Sequence, residues 1–262
     1  MELQPFIQVL SRYLQYSNRV SVDSTMIKWS LLLIVFCSGF AFGQRSKPKN
    51  YSRFDERRAH FGFMLGINSA GFSVYQNASE FQLYNVKSIT STAQTGGQLG
   101  IVSTLKLWGP TTRLRFLPSL SFQERVLTYT YPSIKDPTKD STLEERIAST
   151  NLDFPLMFQF RTTRYNNFAT YVLGGIQYSL DLQSQAKANQ SNSDPFIKIK
   201  RDDFQVQAGI GVEFFTPYFK FGIEVKYSQG FVNSLIQDNT SSSRPIDLLY
   251  NRVWGLSIIF EG

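Results

Sequence analysis

Leu152-Asp153-Phe154-Pro155-Leu156-Met157-Phe158-Gln159-Phe160 places Leu152, Phe154, Leu156, Phe158 and Phe160 on one face of an extended chain. Successive strand side chains point to opposite sides, so a period of two marks a strand with two unlike faces. The same period recurs upstream at Phe61, Phe63, Leu65 and Ile67, at Leu99, Ile101, Leu105 and Leu107, and at Leu114, Phe116 and Leu120. Downstream it continues through Val172, Ile176, Tyr178 and Leu180, then Phe204–Phe214, then Phe219–Tyr227, and ends with Trp254, Leu256, Ile258 and Phe260. No helical stripe of comparable length interrupts the series. The pattern predicts an all-β fold of eight antiparallel strands over residues 59–262.

The connections alternate in length. Ser73–Thr95, Tyr131–Ile147, Gln183–Arg201 and Gly230–Leu249 are long, whereas Trp108-Gly109-Pro110, Arg164–Asn167 and Thr216-Pro217 are short. Up-and-down outer-membrane barrels carry short periplasmic turns and long extracellular loops, and with both termini periplasmic the first connection must be a long one. A tight turn centred on Thr216-Pro217 would oppose Phe214 with Phe219, Val212 with Phe221 and Glu213 with Lys220. Every pair on one face is then apolar, and the other face is polar or glycine.

Alternation alone leaves open whether the apolar face is inside, as in a soluble ligand-binding barrel, or outside against lipid. Three features favour lipid. The polar face carries Gly62, Gly66, Gly100, Gly175, Gly209, Gly211 and Gly222, which suit an eight-strand interior just wide enough to be filled by side chains. Aromatics gather at predicted strand ends: Phe61, Trp108, Tyr165, Phe168, Phe215 and Tyr218 on the short-turn side, Tyr129, Tyr178, Phe204, Tyr227 and Tyr250 on the other. The third feature is a secretory signal. Lys28, the apolar run Leu31–Phe36 and the small-residue end Ala41-Phe42-Gly43 read as a signal peptide over 26–43, cleaved before Gln44, with a buried core helix as the alternative.

Residues 1–25 lack this character and read as an upstream extension or a mis-assigned start, with translation beginning at Met26. Residues 44–58, basic and without periodicity, read as a flexible periplasmic arm, either a passive linker or a docking segment. Cys37 is the only cysteine and leaves with the signal, which excludes disulfides and thiolate metal sites from the mature chain. Mean hydropathy is −0.19, and outside the 26–43 segment no apolar run approaches the ~20 residues of a spanning helix. The formal charge of +7 is scattered rather than gathered beside stacking aromatics, which argues against nucleic acid.

No catalytic, cofactor or metal site is predicted. His60 is the single histidine, at the start of the first strand, too little for a zinc site or a convincing base. Asp153, Glu213 and Glu224 share the predicted lumen with Arg113, Arg115, Lys220 and Lys226. Paired carboxylates can do acid–base work, but opposite charges in a narrow barrel more simply satisfy each other. Gly209-x-Gly211 lies within a strand and is no phosphate loop. Asp136-Pro137-Thr138-Lys139-Asp140 lacks the spacing of a calcium loop.

Arg113-Leu114-Arg115-Phe116-Leu117-Pro118-Ser119-Leu120-Ser121-Phe122, Leu152-Asp153-Phe154-Pro155-Leu156, and Arg164-Tyr165-Asn166-Asn167-Phe168 leading to Tyr171-Val172-Leu173-Gly174-Gly175 resemble PorT, as does His60-Phe61-Gly62-Phe63. PorT is an outer-membrane barrel of the type IX secretion and gliding machinery of Bacteroidota. The resemblance runs from His60 to the C-terminus. It implies a non-enzymatic role in assembling or supporting that apparatus. The implied partners are outer-membrane lipid, other type IX components, and the barrel assembly machinery that reads the C-terminal strand ending near Phe260. Trp108, Arg164, Tyr165 and Asn166 are the first candidates for periplasmic contacts. The alternative is a structural or adhesive barrel working through its long extracellular loops.

Overall fold

The computed structural model describes residues 48–132, 140–184, 197–238 and 240–262, all within the unit Pro48–Gly262. The upstream residues 1–25, the signal segment 26–43 with Cys37, and Asp136–Lys139 lie outside the described residues. The strands are β1 (Ala59–Gln76), β2 (Ser88–Lys106), β3 (Thr112–Phe116), β4 (Ser119–Pro132), β5 (Asp140–Arg161), β6 (Phe168–Asp181), β7 (Asp202–Phe215), β8 (Lys220–Gly230) and β9 (Ile246–Glu261). All pairings are antiparallel, and β9 closes the ring on β1 through Gly62↔Glu261 and the pairs that follow.

The nine segments occupy eight places in the wall, as the alternation predicts. β3 and β4 lie end to end between β2 and β5 in one unbroken register: Phe116 pairs with Ser103 and Leu156, and Ser119 with Gly100 and Asp153. Two prolines cause the interruption. Pro118 accepts from Ile101 at 3.0 Å and Pro155 accepts from Leu117 at 3.2 Å, but neither has an N–H to return.

The faces are inverted relative to a water-soluble barrel. Phe61, Leu65, Ile101, Phe160, Ile176 and Ile210 point outward and are more than half exposed, whereas Arg113, Arg115, Gln159, Lys220, Glu224 and Glu261 point inward and are no more than 2% exposed. Large apolar surface facing water is unfavourable, so this wall is built for hydrocarbon. Aromatic girdles bound it. On one side stand Trp108, Tyr165, Phe168 and Tyr218; on the other Phe154 stacks on Tyr178, which touches Phe204, and Tyr227 packs on Trp254. The ten steps from Phe204 to Phe214 of tilted β7 cover roughly 25 Å along the axis, the height of an outer-membrane apolar band.

Several expectations need correction. The connections at 107–111, 162–167 and 216–219 are short as read, and those between β6 and β7 and between β8 and β9 are long as read, but the other two long connections are mostly strand. β1 reaches Gln76 and β2 begins at Ser88, with only the short helix α2 (Ala78–Leu83) between, and β4 and β5 extend to Pro132 and from Asp140. Above the girdle the outer face no longer meets an apolar environment, so the outward Thr90, Thr92, Glu144 and Arg146 form no apolar stripe by which to recognise a strand. Inside this extension Phe72, Ile89, Leu127, Tyr129, Leu235 and Leu249 form an apolar cap.

The β7–β8 turn centres on Pro217-Tyr218, because Thr216 N donates to Phe219 O at 3.0 Å and proline favours the second position of a turn. The register therefore moves by two residues, to Phe214↔Phe221 and Val212↔Ile223, which keeps every face assignment. Phe215 and Tyr129 leave the girdles: both have inward parity and are buried, and Tyr129 donates its hydroxyl to Ser242 O at 2.8 Å.

Gly211 is small for a definite reason. A Cβ there would lie 2.3 Å from Cζ of Tyr171, whose hydroxyl donates to Glu224 across the lumen at 2.7 Å. Gly211→Ala should cost about 1–3 kcal/mol of overpacking, read as a lower midpoint for loss of the folded band in heated gels. Adding Tyr171→Ala should recover part of that loss. No recovery would place the clash elsewhere.

Candidate functional site at the short-turn mouth

The segment read as a flexible arm is not free from Pro48 onward. Tyr51 adopts φ +48, and its carbonyl accepts from Phe54 N at 3.1 Å, starting the single helical turn α1 (Arg53–Glu56). That turn delivers two side chains into the barrel mouth. Phe54 is fully buried, stacked on His60 at 3.7 Å and edge-on to Phe215 at 5.6 Å. Arg113 and Lys220 lie over its ring at 5.1 and 4.8 Å. The Asp55 carboxylate meets Arg161 at 2.7 Å, Arg164 at 3.4 Å and Arg113 at 3.8 Å. Burial works to raise the Asp55 pKa, but the Arg161 hydrogen bond and the charges of Arg161, Arg164 and Arg113 outweigh it and hold the group below the usual carboxylate range.

The turn between β5 and β6 clamps the arm from the side. Asn166 takes φ +51, a conformation asparagine tolerates, and Tyr165 and Phe168 exchange backbone hydrogen bonds at 2.9 and 3.0 Å. This folds Arg164 back. Its Nε donates to Asn166 O at 2.8 Å, its guanidinium lies 3.9 Å over the Phe215 ring, and it also donates to Asn50 O and, at 2.8 Å, to Asn167 Oδ1. Asn167 Oδ1 accepts from Asn50 N at 2.8 Å as well. The Arg-Tyr-Asn-Asn-Phe element is therefore an arm clasp. Tyr165 and Trp108 are exposed, whereas Arg164 is buried against its own chain.

Deeper in the lumen the charges interlock. Glu213 accepts from Lys220 at 2.7 Å and from Gln159 at 3.0 Å. Lys220 also pairs with Glu261, which accepts from Thr104 at 2.6 Å. Arg115 donates to Glu224 at 2.6 Å, and Lys226 lies 3.3 Å from that same carboxylate. The lumenal charges picked from sequence thus meet in one network. Asp153 stands apart from it, accepting from Ser179 at 2.6 Å.

The network holds its carboxylates between cations and presents none to a substrate. His60 is sealed under Phe54, with no hydrogen-bond partner at either ring nitrogen. Among the described residues no group of three acidic, histidine or cysteine side chains could hold a metal ion. Sequence reading missed Asp55, Arg161, Arg125 and Glu261. Parity could have found three: Arg161 follows Asp153 and Gln159, Arg125 follows Ser121 and Gln123, and Glu261 follows Ile259 on inward positions. Asp55 had no such signal.

A family model described as outer membrane protein beta-barrel domain matches residues 42–235. Among solved structures, the outer membrane protein OprG from Pseudomonas aeruginosa is similar at 14% identity, covering 78% of this chain and 95% of that one with a TM-score of 0.46. Ail, the attachment invasion locus protein of Yersinia pestis, in complex with the heparin analogue sucrose octasulfate, is 12% identical over 79% of this chain and 100% of its own, TM-score 0.36. The outer membrane protease OmpT from Escherichia coli is 12% identical over 83% and 100%, TM-score 0.35. No curated protein matches.

Asp55 titration should control arm docking. A carboxylate whose pKa is depressed on docking stabilises the docked state above its free pKa, and that stabilisation is lost as pH falls through the depressed value. A spin label on Ser52→Cys, in a chain carrying Cys37→Ser, should be immobile at neutral pH and gain mobility below about pH 4. With Asp55→Asn the mobility should be higher at neutral pH and independent of acidification. A label that stays immobile in both would show that Phe54 alone holds the arm.

Proposed function

This chain belongs to the outer membrane protein beta-barrel domain family, and we propose that it serves there as a non-enzymatic component needed for type IX protein secretion and, where that machinery drives it, gliding. One observation carries the reading: residues from three of the stretches that resemble PorT meet at one end of the barrel. His60 lies under Phe54, Arg113 comes from the first stretch and faces Asp55, and Arg164 and Asn167 come from the third and hold the arm. A purely structural wall would have no need for such a clasp. The filled lumen argues against a conduit, so the role is assembly or support of the apparatus.

In this reading both termini and the short turns face the periplasm. Trp108 and Tyr165, exposed at the rim, contact other type IX components, and the apolar wall meets outer-membrane lipid. The barrel assembly machinery inserts the chain through its C-terminal strand β9. Arg164, buried under the arm, is not part of this exposed rim.

The second reading is a structural or adhesive barrel acting through its long-loop end, favoured by the apolar cap that orders this end. A deletion strain complemented with residues 26–262 separates the two. Proteins bearing type IX export signals should vanish from culture supernatants without the gene and return with it. Trp108→Ala with Tyr165→Ala should impair that return more than shortening the 231–245 connection does. Unchanged export, with a heat-modifiable barrel still in the membrane fraction, would refute the secretion role and turn attention to the loops.

A further inference from the structure

The mouth is a rigid pocket holding a shallow occupant. Its walls are set from behind: Arg113, Arg161 and Arg164 have side chains only 1–4% exposed, Arg161 reaches back to Glu213 at 3.5 Å, and Arg164 rests on Phe215. The occupant is one helical turn, and its Asp55 side chain is 32% exposed. The pocket also has unused capacity. Nε and Nη1 of Arg113 are buried and donate to nothing, although the guanidinium lies directly beneath Phe54 and 3.8 Å from Asp55. Buried guanidinium donors are normally paired, so donors left over beside a bound carboxylate indicate a site able to take a better-seated one.

We propose that the mouth is a receptor for an acidic peptide segment of a periplasmic partner, and that Asn50–Glu56 is its built-in, displaceable occupant. This deepens the reading above and rests on the short turns facing the periplasm. The occupant shows what is recognised. An aromatic side chain fills the slot over His60, the acid that follows it meets three arginines, and backbone groups four residues earlier pair with Asn167 and Arg164. The aromatic and acidic positions carry most of the sequence information; Asn50 adds a side-chain bond, Nδ2 donating to Phe215 O at 3.3 Å, and Tyr51 packs against the Phe54 cluster. Arg58 and Lys106 stand beside Glu56 at the rim, a charge balance that attracts acidic chains and repels basic ones. A partner segment presenting an aromatic–acidic pair would expel the arm and leave it free to engage the partner in turn.

The test uses the full chain with Phe54→Ala and Asp55→Asn, refolded in detergent micelles, and a fluorescent peptide copying Asn50–Glu56. Its twin carries asparagine in place of the aspartate. The emptied chain should bind the aspartate peptide at least tenfold more tightly than the twin and at least tenfold more tightly than the unsubstituted chain does. Adding Arg113→Gln should remove most of that preference. A folded, emptied chain that treats both peptides alike would overturn the proposal and make the arm a permanent seal. Should the double substitution prevent folding, the Ser52→Cys spin label in an otherwise intact mouth decides: excess aspartate peptide should mobilise it, and an unchanged spectrum at saturating peptide would overturn the proposal. Export is a separate readout. Peptide binding without any export defect in the deletion strain would keep the receptor and discard its secretion role.

Discussion

Arg115 and Glu224 meet at 2.6 Å where neither side chain reaches water. Their pairing expresses the constraint on which the molecule depends: an eight-strand wall with its apolar face outward must fill its own interior with the polar face of every strand. That interior is too narrow for bulk water, and an isolated ion there would be strongly unfavourable. Removing one partner of a buried pair typically costs about 3–5 kcal/mol, because the charge left behind has no solvent to turn to. The lumenal cations and carboxylates therefore form a set in which no member is independently replaceable. Strand order and register are fixed by the need to bring Arg115 of β3, Glu224 of β8 and Glu261 of β9 into one layer.

Much of this was legible because the bilayer forces the pattern. Phe154, Leu156, Phe158 and Phe160 alternate without exception since each faces the same apolar surroundings, and parity alone places Asp153 and Gln159 inside. The β7–β8 register was misread by two residues, which leaves faces unchanged: period two fixes parity, and only the turn fixes the partner. Phe215 and Tyr129, aromatic residues near strand ends, have inward parity and are buried, so composition alone misplaces them in the girdles. Legibility stops where the bilayer stops. Strand residues 88–92 and 140–146 are held by ladder hydrogen bonds, and no apolar stripe announces them. The arm was illegible for a related reason. Its four-residue helix has no periodicity to detect, and its fit depends on Arg113, Arg161 and Arg164, which come from three separate parts of the chain.

The two ends of the lumen are closed by different means. At the long-loop end Phe72, Ile89, Leu127 and Leu249 form an apolar cap that involves β1, β2, β4 and β9 together. Such a cap opens only if several strands separate. At the short-turn end the closure is a local segment bound through one aromatic ring and one carboxylate, and its removal disturbs no ladder hydrogen bond. The difference in cooperativity between these closures decides which of them can move while the wall stays intact.

That asymmetry bears on how each end can act. The lumen is filled by a charge network whose carboxylates are held by cations at hydrogen-bonding distance. The barrel offers a stiff frame that displays a small polar surface at a fixed height relative to the bilayer. The girdles on either side of the apolar band hold that height, and the clasp at Arg164–Asn167 sets the orientation of whatever occupies the mouth. The charged lumen stiffens the frame, because Arg161, Lys220, Glu213 and Glu261 near the mouth are each tied to a neighbour of opposite charge. The network that fills the interior is the same one that fixes the walls of the mouth, since Glu213 pairs with Lys220 deeper in and with Arg161 at the rim.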